Sequence, residues 1–183
     1  VKGHLTHASN NTIVNIREAL LSEHSKRQTM KIASYIGHDK ARFAALSKCM
    51  FDKDQILAAR ASWVFSVCAE AYPELVKPYL SRLIPLLTQR VHDAVKRNVI
   101  RVLQAQDIPE RLQGKLTAIL FGILETATVP VAIRVFSMTV LSNICKQHPD
   151  LKKELKMVIE SQLPFSSAGF RARAKKIMKQ SAV

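Results

Sequence analysis

Glycine and proline are scarce in this chain, with 5 and 7 among 183 residues. Aromatic residues make up 6%. Strand-rich folds need turn residues and aromatic or β-branched rows, so a β sandwich or barrel is not expected. No apolar run approaches bilayer length, so no transmembrane helix is expected either. The five glycines are scattered, and neither GxGxxG nor GxxxxGK[ST] occurs, which leaves no phosphate-cradling loop. Cysteine is limited to Cys49, Cys68 and Cys145, far apart, each inside an apolar stretch and with no CxxC. An odd, scattered set makes no disulfide framework, and these thiols read as small core residues in a reducing compartment. Acids are the last shortage. The chain has 14 Asp+Glu against 28 Lys+Arg, a formal net charge of +14, which points to an acidic or phosphate-bearing partner.

What remains is a globular composition: 48% hydrophobic and 23% charged. The length suits one domain over 1–183, with 1–10 expected as a flexible start. Val1-Lys2-Gly3-His4 has no initiator Met and no apolar signal core, so a cytoplasmic location is the expectation.

Apolar residues recur at helical spacing almost throughout. Leu75, Val76, Tyr79, Leu80, Leu83, Ile84 and Leu87 form one stripe, and Leu112, Leu116, Ile119, Leu120, Ile123 and Leu124 form another. The stretches 56–72 and 131–145 are apolar on more than one face and should lie between neighbours. Asn, Asp, Ser or Pro precedes each stretch, as capping of a first turn requires. The pattern predicts helices near 12–22, 26–36, 40–51, 55–71, 75–89, 94–105, 110–126, 131–147, 151–163 and 168–180.

Alternate helices repeat. Arg60, Arg97, Arg134 and Arg171 are 37 residues apart, each near a helix start and followed by an apolar segment. A fixed period with two helices per unit marks an α-solenoid. Residues 79–103, YLSRLIPLLTQRVHDAVKRNVIRVL, resemble a HEAT repeat. Pro85 stands in the apolar stripe of a first helix, and Asp93, Val95, Lys96 and Arg97 open a second. The resemblance extends across 38–180, with Asp54 matching Asp93 and with Thr128 and Ser167 at the later equivalent positions. It implies an all-α, right-handed α-α superhelix of about five antiparallel helix pairs, second helices on the concave side. It also implies a structural ladder of Arg60, Asp93, Arg97, Arg134 and Arg171. In such a ladder Asp and Arg bond to neighbouring repeats and free helix ends, and Asp93 caps its helix.

No catalytic, cofactor or metal site is expected. His38-Asp39 and His92-Asp93 precede helices, so a capping Asp explains them. His4 and His7 lack a metal-ligand set. Ser166-Ser167-Ala168-Gly169-Phe170-Arg171 begins like the signature loop of the fumarase and adenylosuccinate lyase superfamily but lacks its Met-Pro, Lys and Asn, so no lyase activity is expected. Trp63 reads as a core residue. Charge carries the remaining signal. Residues 164–183 hold five basic residues and no acid, and Arg171, Lys175 and Lys179 recur on one helical face flanked by Lys176. These four are candidate anion- or partner-binding residues. Arg134 joins them, because it too lacks an acid beside it. The leading expectation is a scaffold gripping a protein partner through its concave face, without a cofactor. The alternative is sequence-independent binding of nucleic-acid phosphates. A lesser one is kinship with the HEAT-like alkylpurine DNA glycosylases, which need a carboxylate and aromatics together on that face.

Overall fold

The computed structural model describes residues 15–181. The expected flexible start, the His4/His7 pair and residues 12–14 of the first expected helix lie outside the described residues. Among the described residues there are ten α-helices and no strand. They are α1 (Ile16–Ser22), α2 (Lys26–Ile36), α3 (Lys40–Met50), α4 (Gln55–Ala71), α5 (Leu80–Leu86), α6 (Asp93–Leu103), α7 (Glu110–Glu125), α8 (Val131–Ile144), α9 (Leu151–Gln162) and α10 (Ala168–Ser181). Two 3-10 segments, Pro73–Tyr79 and Leu163–Phe165, join them.

Local chemistry sets most starts. The side chains of Asn15, Ser25, Asp39 and Asp54 accept hydrogen bonds from first-turn amides of α1 to α4. Pro109 and Pro130 precede α7 and α8. Gly37 ends α2 at φ +50, a left-handed conformation that suits glycine, and donates its N–H to the Ala33 carbonyl at 2.9 Å. Asp93 does not cap α6. The helix begins one residue earlier than expected, so His92 is the cap and its Nδ1 accepts from the Ala94 N–H at 3.0 Å. Asp93 becomes the first helical residue, where its charge meets the positive helix end without a capping bond.

The stretch expected as one helix over 75–89 divides. Pro78 has no N–H and pushes Lys77 away from α geometry, so the first half is a 3-10 segment. α5 follows for seven residues, with Pro85 inside it. The stripe still packs inward: Leu75, Val76, Leu80, Leu83, Ile84 and Leu87 are all buried.

Consecutive helices pair as α1–α2, α3–α4, α5–α6, α7–α8 and α9–α10. The second helices then stack in one continuous row, α2 on α4, α4 on α6, α6 on α8 and α8 on α10. First helices form a looser row, with α1 against α3 and α7 against α9. The described residues therefore form an all-α helical solenoid of five pairs. The two most apolar helices, α4 and α8, lie inside it with neighbours on several sides, as a helix lacking a polar face must. Leu57, Phe65, Val99, Leu120, Leu141 and Phe170 are fully buried, each contributing about 1.5–3 kcal/mol on transfer from water. Phe43 and Phe65 meet at 4.7 Å between α3 and α4.

Polar links join the layers. Asn98 Nδ2 donates to Ser62 Oγ at 2.9 Å, tying α6 to α4. Asn143 Nδ2 donates to the Gln104 carbonyl at 3.0 Å, tying α8 to the end of α6. Both satisfy groups that burial would otherwise make costly.

Candidate partner-binding surface

Because the pairs are antiparallel, every turn within a pair falls on one edge of the stack, beside the start of each second helix. Six large apolar side chains are exposed among the described residues: Leu21, Met30, Ile56, Val131, Met157 and Phe165. Four belong to this edge. Leu21 ends α1, Ile56 opens α4, Val131 opens α8, and Phe165, 93% exposed, sits in the turn between α9 and α10. The sequence pattern could not separate these residues from the core. Ile56 and Val131 begin the stretches that are apolar on more than one face, and their surplus faces emerge where the first turn projects past its neighbours.

A recess of about 360 Å³ opens at this edge between α4 and α6, lined among others by His24, Ile56, Arg60, Trp63, His92 and Arg97. Trp63 is half-buried and not a full core residue. His24 packs edge-on against its indole, with ring centroids 5.6 Å apart. The recess thus combines apolar surface, an amphipathic indole and guanidinium groups, a composition typical of protein-interface anchors.

The four periodic arginines have four different surroundings. Arg60 Nη1 donates to the Leu20 and Leu21 carbonyls at 3.0 and 2.9 Å, closing the C-terminal end of α1. Arg97 is exposed and has no hydrogen bond or ion pair among the described residues. Arg134 is 5% exposed. Its Nε and Nη2 donate to the Leu124 carbonyl at the end of α7, and Nη2 also reaches Gln162 Oε1 at 2.8 Å. Its guanidinium lies over the Phe170 ring at 4.7 Å, and burial pushes its pKa down. Arg134 is therefore not a surface cation: its fork is spent on α7, α9 and α10, and an external anion has no access to it. Arg171 Nη1 donates to the Ser166 carbonyl, just before its own helix.

α10 packs through Phe170, Ala174 and Ile177, which are buried, while Arg173 donates to Thr139 of α8. Arg171, Lys175, Lys176 and Lys179 occupy the exposed arc, with no ion pair among the described residues. Like charges at i,i+4 repel by a few tenths of a kcal/mol, so this face weakens the helix slightly.

Titratable groups elsewhere serve structure. Asp39 is held below its ordinary range by the N–H groups of Arg42 and Ala41 that it caps. Asp52 is lowered by the Asp54 N–H and by Arg17, whose Nη1 lies 2.7 Å away. His38 pairs with Glu74 at 2.6 Å on the surface, not with Asp39. The cysteines are free and buried, and desolvation raises all three, Cys68 to about 12. Among the described residues no group of three His, Cys, Asp or Glu side chains is placed to hold a metal. Nor is any helix among them long and apolar enough to cross a membrane.

No curated protein and no solved structure matches the chain. One family model does, that of the HEAT repeat domain, and its match over residues 16–181 follows the same five helix pairs from α1 to α10, so the chain belongs to the HEAT repeat family.

Proposed function

We propose that this protein is a non-enzymatic scaffold whose partner lies along the turn edge and the row of second helices. HEAT repeats generally mediate interactions between proteins. The observation that carries the reading is the gathering of Leu21, Ile56, Val131 and Phe165 on one edge beside the Trp63 recess. Apolar side chains grouped on a surface mark contacts with proteins, and they offer nothing to phosphates. The closer packing of the second-helix row supports a stack that curves toward that row, placing it on the concave side of the expected right-handed superhelix. Exposed cations occur on both rows: Lys40, Lys77, Lys115 and Lys153 on first-helix segments, and Lys26, Arg27, Lys31, Arg97 and the α10 cations on second helices, while Arg134 is buried.

Site-directed photocrosslinking in cell extract tests the reading. A benzophenone amino acid replacing Ile56, Val131 or Phe165 should yield one common protein adduct, and the same probe at Lys77 or Lys115 should yield none. Adducts from the control positions alone would refute it.

One observation favours a second reading. The exposed face of α10 presents Arg171, Lys175, Lys176 and Lys179 without an acid, a surface suited to phosphates. If all four engage, the logarithm of affinity for random oligonucleotides falls against log salt with a slope of about −3 to −4. Unmeasurable binding at low salt removes this face from the function.

A further inference from the structure

Behind the turn edge, toward the opposite end of the last pair, α9 and α10 enclose a groove of about 330 Å³. Leu155, Ile159, Ile177 and Met178 form its floor, and Lys152, Lys153 and Lys156 form its rim. Leu155, Ile159 and Ile177 are each no more than 3% exposed, so the floor is recessed. Met157 projects from α9 nearby, 59% exposed. On α10, outside the groove lining, Lys175 is exposed one turn before Met178. The groove contains no carboxylate among its lining residues. Glu160 pairs with Lys156 at 3.8 Å on the surface. Lys152 and Lys153 have no ion pair among the described residues.

We infer that this groove docks an acidic amphipathic helical segment of a partner protein. The occupant follows from complementarity. An apolar floor between two helices accepts the i, i+3, i+4 stripe of a third, and a flexible thioether such as Met178 adapts to the side chains that enter. The lysine rim on α9 selects carboxylates beside that stripe and repels a basic segment. Nucleic acid fits poorly, since no aromatic ring lines the groove for a base to stack on. A flat bilayer does not reach a floor that is recessed between two helices. This site is separate from the turn edge, and its occupant need not be the partner that binds there.

The probe is a fluorescein-labelled 16-residue peptide with leucines at i, i+3, i+4 and i+7 and glutamates on its polar face, read by anisotropy on the full chain. The acidic peptide should bind, and weaken as salt rises. A counterpart with lysine for glutamate should bind at least tenfold more weakly. So should an acidic peptide whose leucines are shuffled off one face. Changing Lys152, Lys153 and Lys156 together to Glu should weaken binding at least tenfold, whereas changing Lys40, Lys77 and Lys115 to Glu alters net charge equally and should leave it within twofold. Met178→Glu, at a half-buried groove position, should cost tenfold with the circular dichroism spectrum unchanged. Equal loss from both lysine triples, or equal binding by the shuffled peptide, would mean bulk charge attraction and would overturn the groove. Failure of the wild type to bind the acidic peptide at low salt overturns it as well. Anionic phosphatidylserine vesicles serve as a further arm: vesicle binding lost in the groove triple, without peptide binding, refutes the inference in favour of a lipid surface.

Discussion

Arg97 and Arg134 hold the same place in the 37-residue period, so the expected ladder assigns their removal the same effect. Their surroundings assign different ones. In Arg134→Ala, the Leu124 carbonyl at the end of α7 and the Gln162 amide lose their buried donors, a loss of about 1–3 kcal/mol. Losing the guanidinium from the Phe170 ring adds about 0.5–2 kcal/mol. Relief of a desolvated charge offsets part of this, as the lowered pKa of Arg134 indicates. A net cost of about 2–4 kcal/mol follows. At about 2–4 °C per kcal/mol for a domain of this size, Tm falls by about 5–15 °C. Arg97→Ala removes an exposed side chain without a bonded partner and should stay within about 0.5 kcal/mol. Arg60→Ala, which frees two carbonyls at the partly solvated end of α1, should fall between them at about 1 kcal/mol. Arg134→Met keeps the packing volume but not the donors, so it should recover part of the alanine loss. Urea unfolding followed by circular dichroism measures the series. If Arg134→Ala and Arg97→Ala shift the midpoint equally, the buried role of Arg134 is wrong.

Acid should destabilise the fold. Asp39, Asp52 and Glu23 have folded pKa values below their unfolded ones, so their stabilisation is complete above about pH 4 and disappears as pH falls through the folded values. A Tm flat between pH 3 and pH 6 would contradict this, and Asp39→Asn should keep the cap while flattening part of the slope. At the start of α6, His92→Ala should cost about 1 kcal/mol as loss of the cap, and Asp93→Ala about 0.3 kcal/mol as loss of a helix-dipole contact. Reversal of that order in urea unfolding would restore Asp93 as the cap. The three buried thiols should react with a disulfide reagent at pH 8 no faster than the chain opens, and immediate labelling of even one would place it at the surface.

The helix plan was legible because its signals are local. Ser25, Asp39 and Asp54 bond amides two or three residues away, so their meaning survives without knowledge of the fold. The 37-residue period likewise exposed the pairing. What escaped depends on neighbours far along the chain. Gln162 and Phe170 decide that Arg134 is buried, and they arrive 28 and 36 residues later, from another layer. The exposure of Ile56 and Val131 was hidden because periodicity identifies an apolar face but not whether another layer covers it. The groove beside Lys152, Lys153 and Lys156 exists in neither α9 nor α10 alone. Its lysines read as a solvated helix face until α10 closes the other side with Ile177 and Met178.

The divided first helix of the third pair gives the stack a mechanical character. The second-helix row runs unbroken from α2 to α10 and is pinned by the Asn98–Ser62 and Asn143–Gln104 bonds, so it resists sliding and stretching. Opposite it, α5 has seven residues beside a 3-10 segment and packs on neither α3 nor α7 with the extent seen in the other row. A beam continuous along one flange and thinned along the other is compliant in one direction. It flexes about the thin point while the continuous flange keeps its length. Bending of the stack should therefore concentrate at the third pair, while the spacing of layers along the second-helix row is kept.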